Sequence, residues 1–278
     1  MTDLIFAWEN WRKKWYDFED LIVELINDYH NNKNWKKIVY FIANDLWIEN
    51  VEDYNVFAEK CPKSVKDAFS DSKKPPKADA HIYYENKKTW EKIKKWISIK
   101  SSNISIQVLI TNVNAFLNVC RSYEIQIPEL LDIALSKFCG FGNYKPSLML
   151  PREKITNLVQ WDRDRWLVYE LEKKEQDVME NFFNENQKKI SEIVLKKWSW
   201  EEEYWVDYYV ANKNKYSDTW IVDVELDNIT NIIDRSIKLW WYITTIKWSF
   251  HLWSLTVQMK WSWKWESYHW LQFNKSWI

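Results

Sequence analysis

Only 2 of the 278 residues are glycine, whereas 22 are tryptophan. Glycine takes a positive φ without steric cost, so a chain nearly devoid of it has few easy places to end a helix or close a tight hairpin. An ordinary globular chain carries about 7% glycine, roughly 19 residues at this length. The tryptophan excess is about the size of that deficit. The tryptophans also stand in polar, turn-like contexts, as in KNW (33–35), KKTWEK (87–92), KKWSWEEE (196–203), KLWWY (238–242) and KWSWKWES (260–267). The pattern predicts that most of them mark glycine positions, the result of UGA codons that the host reads as glycine being written as tryptophan. Trp166 and Trp205, set in apolar runs, read as genuine. The alternative is a tryptophan-rich surface that stacks on sugars or bases.

Charge and cysteine content narrow the class. Lys and Arg number 39 against 40 Asp and Glu, for a net charge of −1. That balance excludes a uniformly basic nucleic-acid coat but leaves room for a local basic groove. Cys61, Cys120 and Cys139 are too few and too scattered for a disulfide framework or a zinc cluster. The opening residues lack the apolar core of a secretory signal, and no run approaches about 20 apolar residues. The expectation is a soluble, cytoplasmic protein with no membrane segment.

Periodicity organises the chain. Residues 12–30 read as an amphipathic helix with Phe18, Leu21, Ile22, Leu25, Ile26 and Tyr29 on one face and Asp20, Glu24 and Asp28 on the other. Glu19 falls at the edge of the apolar stripe, between Val23 and Ile26. A second helix is expected over 35–49, then a polar stretch over 50–76. Residues 78–85 and 96–100 read as strands joined by a hairpin connection that becomes natural if Trp90 is glycine. Residues 104–119 form a helix or a strand-to-helix element, with Gln107, Thr111, Asn114 and Asn118 as one polar stripe in the helical case. The break at 139–151 divides a core, 1–145, from a C-terminal region, 146–278. Beyond it, 166–197 and 225–238 read as helices and 240–273 as two or three strands. The predicted fold is α/β: a central mixed sheet of about four or five strands flanked by helices, with an α+β C-terminal extension.

The residues with chemistry in them are Lys77-Ala78-Asp79 and Ser98-Ile99-Lys100. Strand alternation sends Ser98 and Lys100 to one face and Ile97 and Ile99 into the core, and a neighbouring antiparallel strand can bring Asp79 beside them. A carboxylate next to a lysine suits phosphodiester hydrolysis. The acid anchors Mg²⁺, and the lysine orients water or steadies developing charge. Glu19, on a helix over the sheet, can supply the second acid, so Asp79 and Glu19 are the candidate metal ligands. The histidines at 30, 81, 251 and 269 show no metal or triad spacing. A rival acid…QxK pattern pairs Asp223 or Glu225 with Gln258-Met259-Lys260. For nucleic-acid contact, Lys77 and the hairpin lysines, Lys94 and Lys95 among them, lie near the candidate site, and Gln258, Lys260, Lys264 and Gln272 lie around glycine-like positions.

Four patches together resemble the PD-(D/E)xK nuclease superfamily, and within it the type II restriction endonucleases. They are Phe18-Glu19, KAD (77–79), WISIKSS (96–102, similar to an SIKSG strand when read as GISIKSS) and SLTVQMKWSWKWESYHWLQFN (254–274). Ala78 stands where the motif has Pro, and Ser98 where it has an acid. The resemblance therefore implies that Glu19 contributes the missing carboxylate and that Gln107 corresponds to a polar helix residue of related nucleases. It further implies a restriction-endonuclease-like core, Mg²⁺-dependent cleavage of specific double-stranded DNA, a homodimer and a DNA methyltransferase encoded nearby. A structure-directed repair or junction nuclease, an inactivated nuclease-like DNA-binding module and a tryptophan-rich glycan binder are the alternatives.

Overall fold

In the computed structural model the described residues are 18–31, 33–61, 65–66, 73–74, 78–100, 106–141, 143–144, 166, 168–197, 201–212, 224–237, 249–252, 255–260 and 270–275. The chain begins with helix α1 (18–27), α2 (Lys33–Asp45), strand β1 (Tyr54–Lys60) and the short strands β2 (Val65–Lys66) and β3 (Lys73–Lys74). It continues through β4 (Ala80–Asn86), β5 (Lys92–Lys100), β6 (Ile106–Thr111), α3 (Val113–Ser122) and α4 (Glu129–Cys139). Then follow α5 (Lys173–Glu185), α6 (Gln187–Leu195), β7 (Tyr208–Asn212), β8 (Val224–Asn228), α7 (Ile229–Ile237), β9 (Ser249–Leu252), β10 (Leu255–Lys260) and β11 (Trp270–Lys275). The chain divides into two units. One comprises 1–67, 72–104 and 197–230; the other comprises 68–71, 105–196 and 231–278. The sequence break near residue 145 falls inside the second of these.

The first unit is a five-stranded mixed sheet in the order β1-β4-β5-β7-β8, antiparallel except for the parallel pair β5/β7. The fold is α/β. Alternation on β5 drives the packing: Ile97 and Ile99 are fully buried with Ile82 and Tyr84 of β4 against Ile22 and Ile26 of α1 and Ile38, Val39 and Ile42 of α2. Burying each such side chain is worth about 1.5–3 kcal/mol, which fixes which face of the sheet the helices cover. Two polar contacts set the helices in place. Tyr84 donates from its hydroxyl to the Val39 carbonyl at 2.6 Å. Asn27 grips the outer strand β1 through both its amide atoms, accepting from Ala58 N at 2.7 Å and donating to Ala58 O at 3.1 Å.

The second unit carries a four-stranded antiparallel sheet in the order β6-β11-β10-β9. Residues 104–119 take the strand-to-helix option: β6 runs into α3, whose first turn is capped by the Asn112 side chain accepting from Ala115 N at 2.7 Å. Several sequence expectations are corrected. The polar stretch 50–76 contains β1, and 225–238 opens as strand β8 before becoming α7. The charged run 166–197 is broken at Asn186, whose amide turns back to the Phe182 carbonyl. Among the described residues no helix is long and apolar enough to cross a membrane.

Tight closures show where the scarcity of glycine is felt. Among the described residues three helices end in the same motif, in which the amide of the second residue past the cap reaches back five residues and a residue with positive φ precedes it. At α4 that residue is Gly140, φ 65°, with Phe141 N bonded to Ser136 O at 2.8 Å. At α2 it is Trp47, φ 58°, with Ile48 N bonded to Ala43 O at 2.9 Å, and at α3 it is Glu124, φ 57°. The β4–β5 hairpin closes on Trp90, φ 61°, whose amide bonds to Asn86 O at 2.9 Å. Trp47 and Trp90 are 91% and 71% exposed. Trp35 and Trp96, which the sequence reading placed at glycine-like positions, behave differently. Trp35 is buried in α2, and Trp96 is 4% exposed and packed edge-on between His81 and Tyr204, both at 5.1 Å.

These environments separate the tryptophans by stability. Relief of a left-handed residue, about 1–2 kcal/mol, less glycine's extra chain entropy, leaves a gain of about 1 kcal/mol for Trp47→Gly and for Trp90→Gly. Trp96→Gly instead loses about 3–5 kcal/mol, as for other buried large rings. Urea denaturation midpoints of the three variants check this ordering.

Candidate active site on the five-stranded sheet

The pairing of β4 with β5 places the chemistry. Ala80 lies opposite Ile97, and the ladder continues one step beyond β4, where Asp79 N donates to Ile97 O at 2.8 Å. Asp79 is thereby set opposite Ser98. On its other side Cys61 N donates to Asp79 O at 3.2 Å. The Asp79 carboxylate is held by one oxygen: Oδ2 accepts from Ile99 N at 2.5 Å and from Ser98 Oγ at 3.2 Å. Lys100 Nζ stands 3.6 Å from the same oxygen. The Asp79 and Lys100 side chains are largely sheltered, at 17% and 12% exposure, so the attraction between them acts in a medium of lower dielectric than water.

Glu19 of α1 is coupled to this pair through charge. Burial first, and then the negative charge of Asp79, push its carboxyl from 4.5 up to about 7, against the pull of Lys60 and Lys100. Lys60 itself is paired with Asp20 at 2.6 Å. The Cys61 thiol is pushed up by burial and by Asp79, so it stays protonated and is a poor nucleophile. Two carboxyl groups that repel each other beside one ammonium can hold a small cation, or a water and a phosphoryl oxygen, within one sheltered corner.

Tyr209 of β7 was not singled out by sequence reasoning. It lies opposite Ser98 in the parallel β5/β7 register, is buried, and has the Lys100 ammonium 5.9 Å from its ring centre. Burial and then Asp79 raise its phenol. The available signal was the short run VDYYVAN, whose strand character shows only once β7 has a partner.

The other candidate residues belong to other elements. Gln107 lies on β6 of the second unit, opposite Asn274. Gln258 and Lys260 lie on β10, with Gln272 opposite Gln258 on β11. The rival pattern is thereby divided between sheets, since Glu225 belongs to β8, and Asp223 lies outside the described residues, as do Lys77 and Lys264. The hairpin lysines are largely engaged. Lys88 faces Asp53 at 3.9 Å, Lys92 faces Glu85 at 3.2 Å, Lys95 faces Asp207 at 3.3 Å, and Lys87 donates to the Glu52 carbonyl at 2.6 Å. Lys94 sits over the rings of Trp96, at 4.1 Å, and Tyr204, at 6.0 Å. His81 pairs with Glu59 at 3.0 Å and packs against Tyr83 and Trp96. Among the described residues no three His, Cys, Asp or Glu side chains gather closely enough to hold a metal ion by themselves. Compared with known proteins, the chain matches no family model and no curated sequence.

The raised Glu19 pKa has a consequence for stability. Because the folded state binds this proton more tightly than the unfolded chain, the contribution is fully present below about pH 4.5 and is lost as pH rises through about 7. Solvent screening of a partly exposed group reduces it to about 1–2 kcal/mol. In chelator, the urea midpoint is expected to fall between pH 5 and pH 8, and Glu19→Gln is expected to remove that part of the fall.

Proposed function

We propose that the chain is a Mg²⁺-dependent nuclease of the PD-(D/E)xK kind that cleaves specific double-stranded DNA, the restriction half of a restriction-modification system. The observation that supports the reading is the meeting of Asp79 and Lys100, 3.6 Å apart at the ends of neighbouring strands, with Glu19 electrostatically coupled to both. The donor set suits the ion, which accepts one or two carboxylates and keeps several waters. Asp79 and Glu19 would hold it, and their mutual repulsion is the kind a divalent charge relieves. When bound, Mg²⁺ supplies polarisation of a phosphoryl oxygen and a lowered pKa for water.

The chain's own groups do the rest. Ile99 N–H and Ser98 Oγ hold the Asp79 carboxylate in one orientation. The Lys100 ammonium carries the positive charge that meets a pentavalent phosphorane's extra negative charge. Partial burial keeps bulk water from screening it. Cytoplasmic location, a homodimer matched to a palindromic duplex and a methyltransferase encoded nearby belong to the same reading. The hydroxyl in place of an acid at Ser98, where it donates to Asp79, favours a second reading: a nuclease-like DNA-binding module that does not cut.

Incubation of the 278-residue chain with plasmid and Mg²⁺ tests the proposal. Cleavage at discrete sites is expected, with Asp79→Ala slower by at least about 100-fold, the scale of losing one electrostatic group from a catalytic centre. Equal cutting by both proteins removes Asp79 from the mechanism, scattered cuts favour a structure-directed nuclease, and binding without cutting favours the second reading.

A further inference from the structure

We infer that Tyr209 is a positioning residue for Lys100, an inference that rests on the nuclease reading. The ion pair at 3.6 Å is longer than a charge-assisted hydrogen bond, so Asp79 alone does not orient the ammonium at the end of a flexible four-carbon stem. The Tyr209 ring does. It is set by the β5/β7 register directly opposite Ser98, it is buried, and its centre is 5.9 Å from Lys100 Nζ. A cation over a ring face is attracted by the ring's quadrupole, more strongly where water is excluded. The ring and the Asp79 carboxylate thus both hold the ammonium, at 5.9 Å and 3.6 Å. Tyr209 touches no reacting atom; it acts through Lys100.

Two measurements test the role. Tyr209→Phe keeps the ring and is expected to cleave within about twofold of the parent. Tyr209→Leu is expected to lower kcat about tenfold with KM within about twofold, because the loss falls on orientation and not on DNA contact. In lysine-labelled protein, the side-chain resonances of Lys100, assigned with Lys100→Arg, are expected to show an upfield ring-current shift that Tyr209→Phe keeps and Tyr209→Leu loses. If Tyr209→Leu does not fold, Tyr209→Met takes its place. Unchanged kcat in the ring-less variant, or Lys100 resonances that do not move, overturns the inference. A parent chain that binds and cuts no DNA overturns the nuclease reading and this role together, while a ring-current shift that persists would still show the contact.

A different observation carries a second inference independently: the geometry points to glycine as the native residue at positions 47 and 90. Trp47 occupies the same place at the end of α2 that the chain's own Gly140 occupies at the end of α4, with matching φ and the same return bond five residues back. Trp90 holds the left-handed position that closes a hairpin, where glycine is the ordinary choice. Both rings reach solvent, at 91% and 71% exposure, so no packing offsets the backbone cost. Peptide mass mapping of the protein from its native host decides. Glycine at both positions is expected, and tryptophan at either one overturns the inference there.

Discussion

The register between β4 and β5 is the constraint from which the rest follows. Side chains alternate along a strand, so a slip of one residue would carry Ser98 and Lys100 into the core and Ile97 and Ile99 out of it. The apolar pair forbids that slip, since both are fully buried against α1 and α2. With the register locked, Asp79 has one place to be, and its Oδ2 receives the Ile99 amide as a continuation of the ladder. A backbone group thus orients the acid. Core packing and the polar corner are two faces of one pairing.

Legibility from sequence divides along the same line. The β4–β5 hairpin was visible because it is local: Ile97-Ser98-Ile99-Lys100 announces its own alternation, and Asp79 lies one connection away. Glu19 was visible because a helical stripe has edges, and residue 19 falls on one. Strands β7 and β8 were not visible. β7 reaches its place beside β5 through a parallel pairing across about a hundred intervening residues, which no local period encodes, and β8 joins the sheet only through β7, so Tyr209 was lost with them. Strand β1 was hidden for a different reason. Its segment YNVFAEK has only Ala58 fully buried, the mark of an outer strand, so it read as polar. Local context is a poor guide to tryptophan burial: Trp35 and Trp96 stand in polar sequence neighbourhoods and yet pack inside, Trp96 against His81 and Tyr204 from other elements.

The charge pattern also reads differently in space. Along the sequence, residues 87–100 carry six lysines and a single acid, which suggests a basic arm. In the fold Asp53, Glu85, Asp207 and Asp79 come alongside from other elements, so much of that charge is compensated within the unit. Lys94 is the instructive case, a cation held by ring faces instead of carboxylates.

The grip of Asn27 on Ala58 has a consequence for assembly. An outer strand ordinarily offers a row of free amides and carbonyls on which another chain can lay a strand of its own. At Ala58 both outward groups are already satisfied by that one amide side chain, and a guest strand would have to displace it. Adding a strand at that point would cost both Asn27 bonds, which disfavours this border as the place where a second copy of the chain joins the sheet.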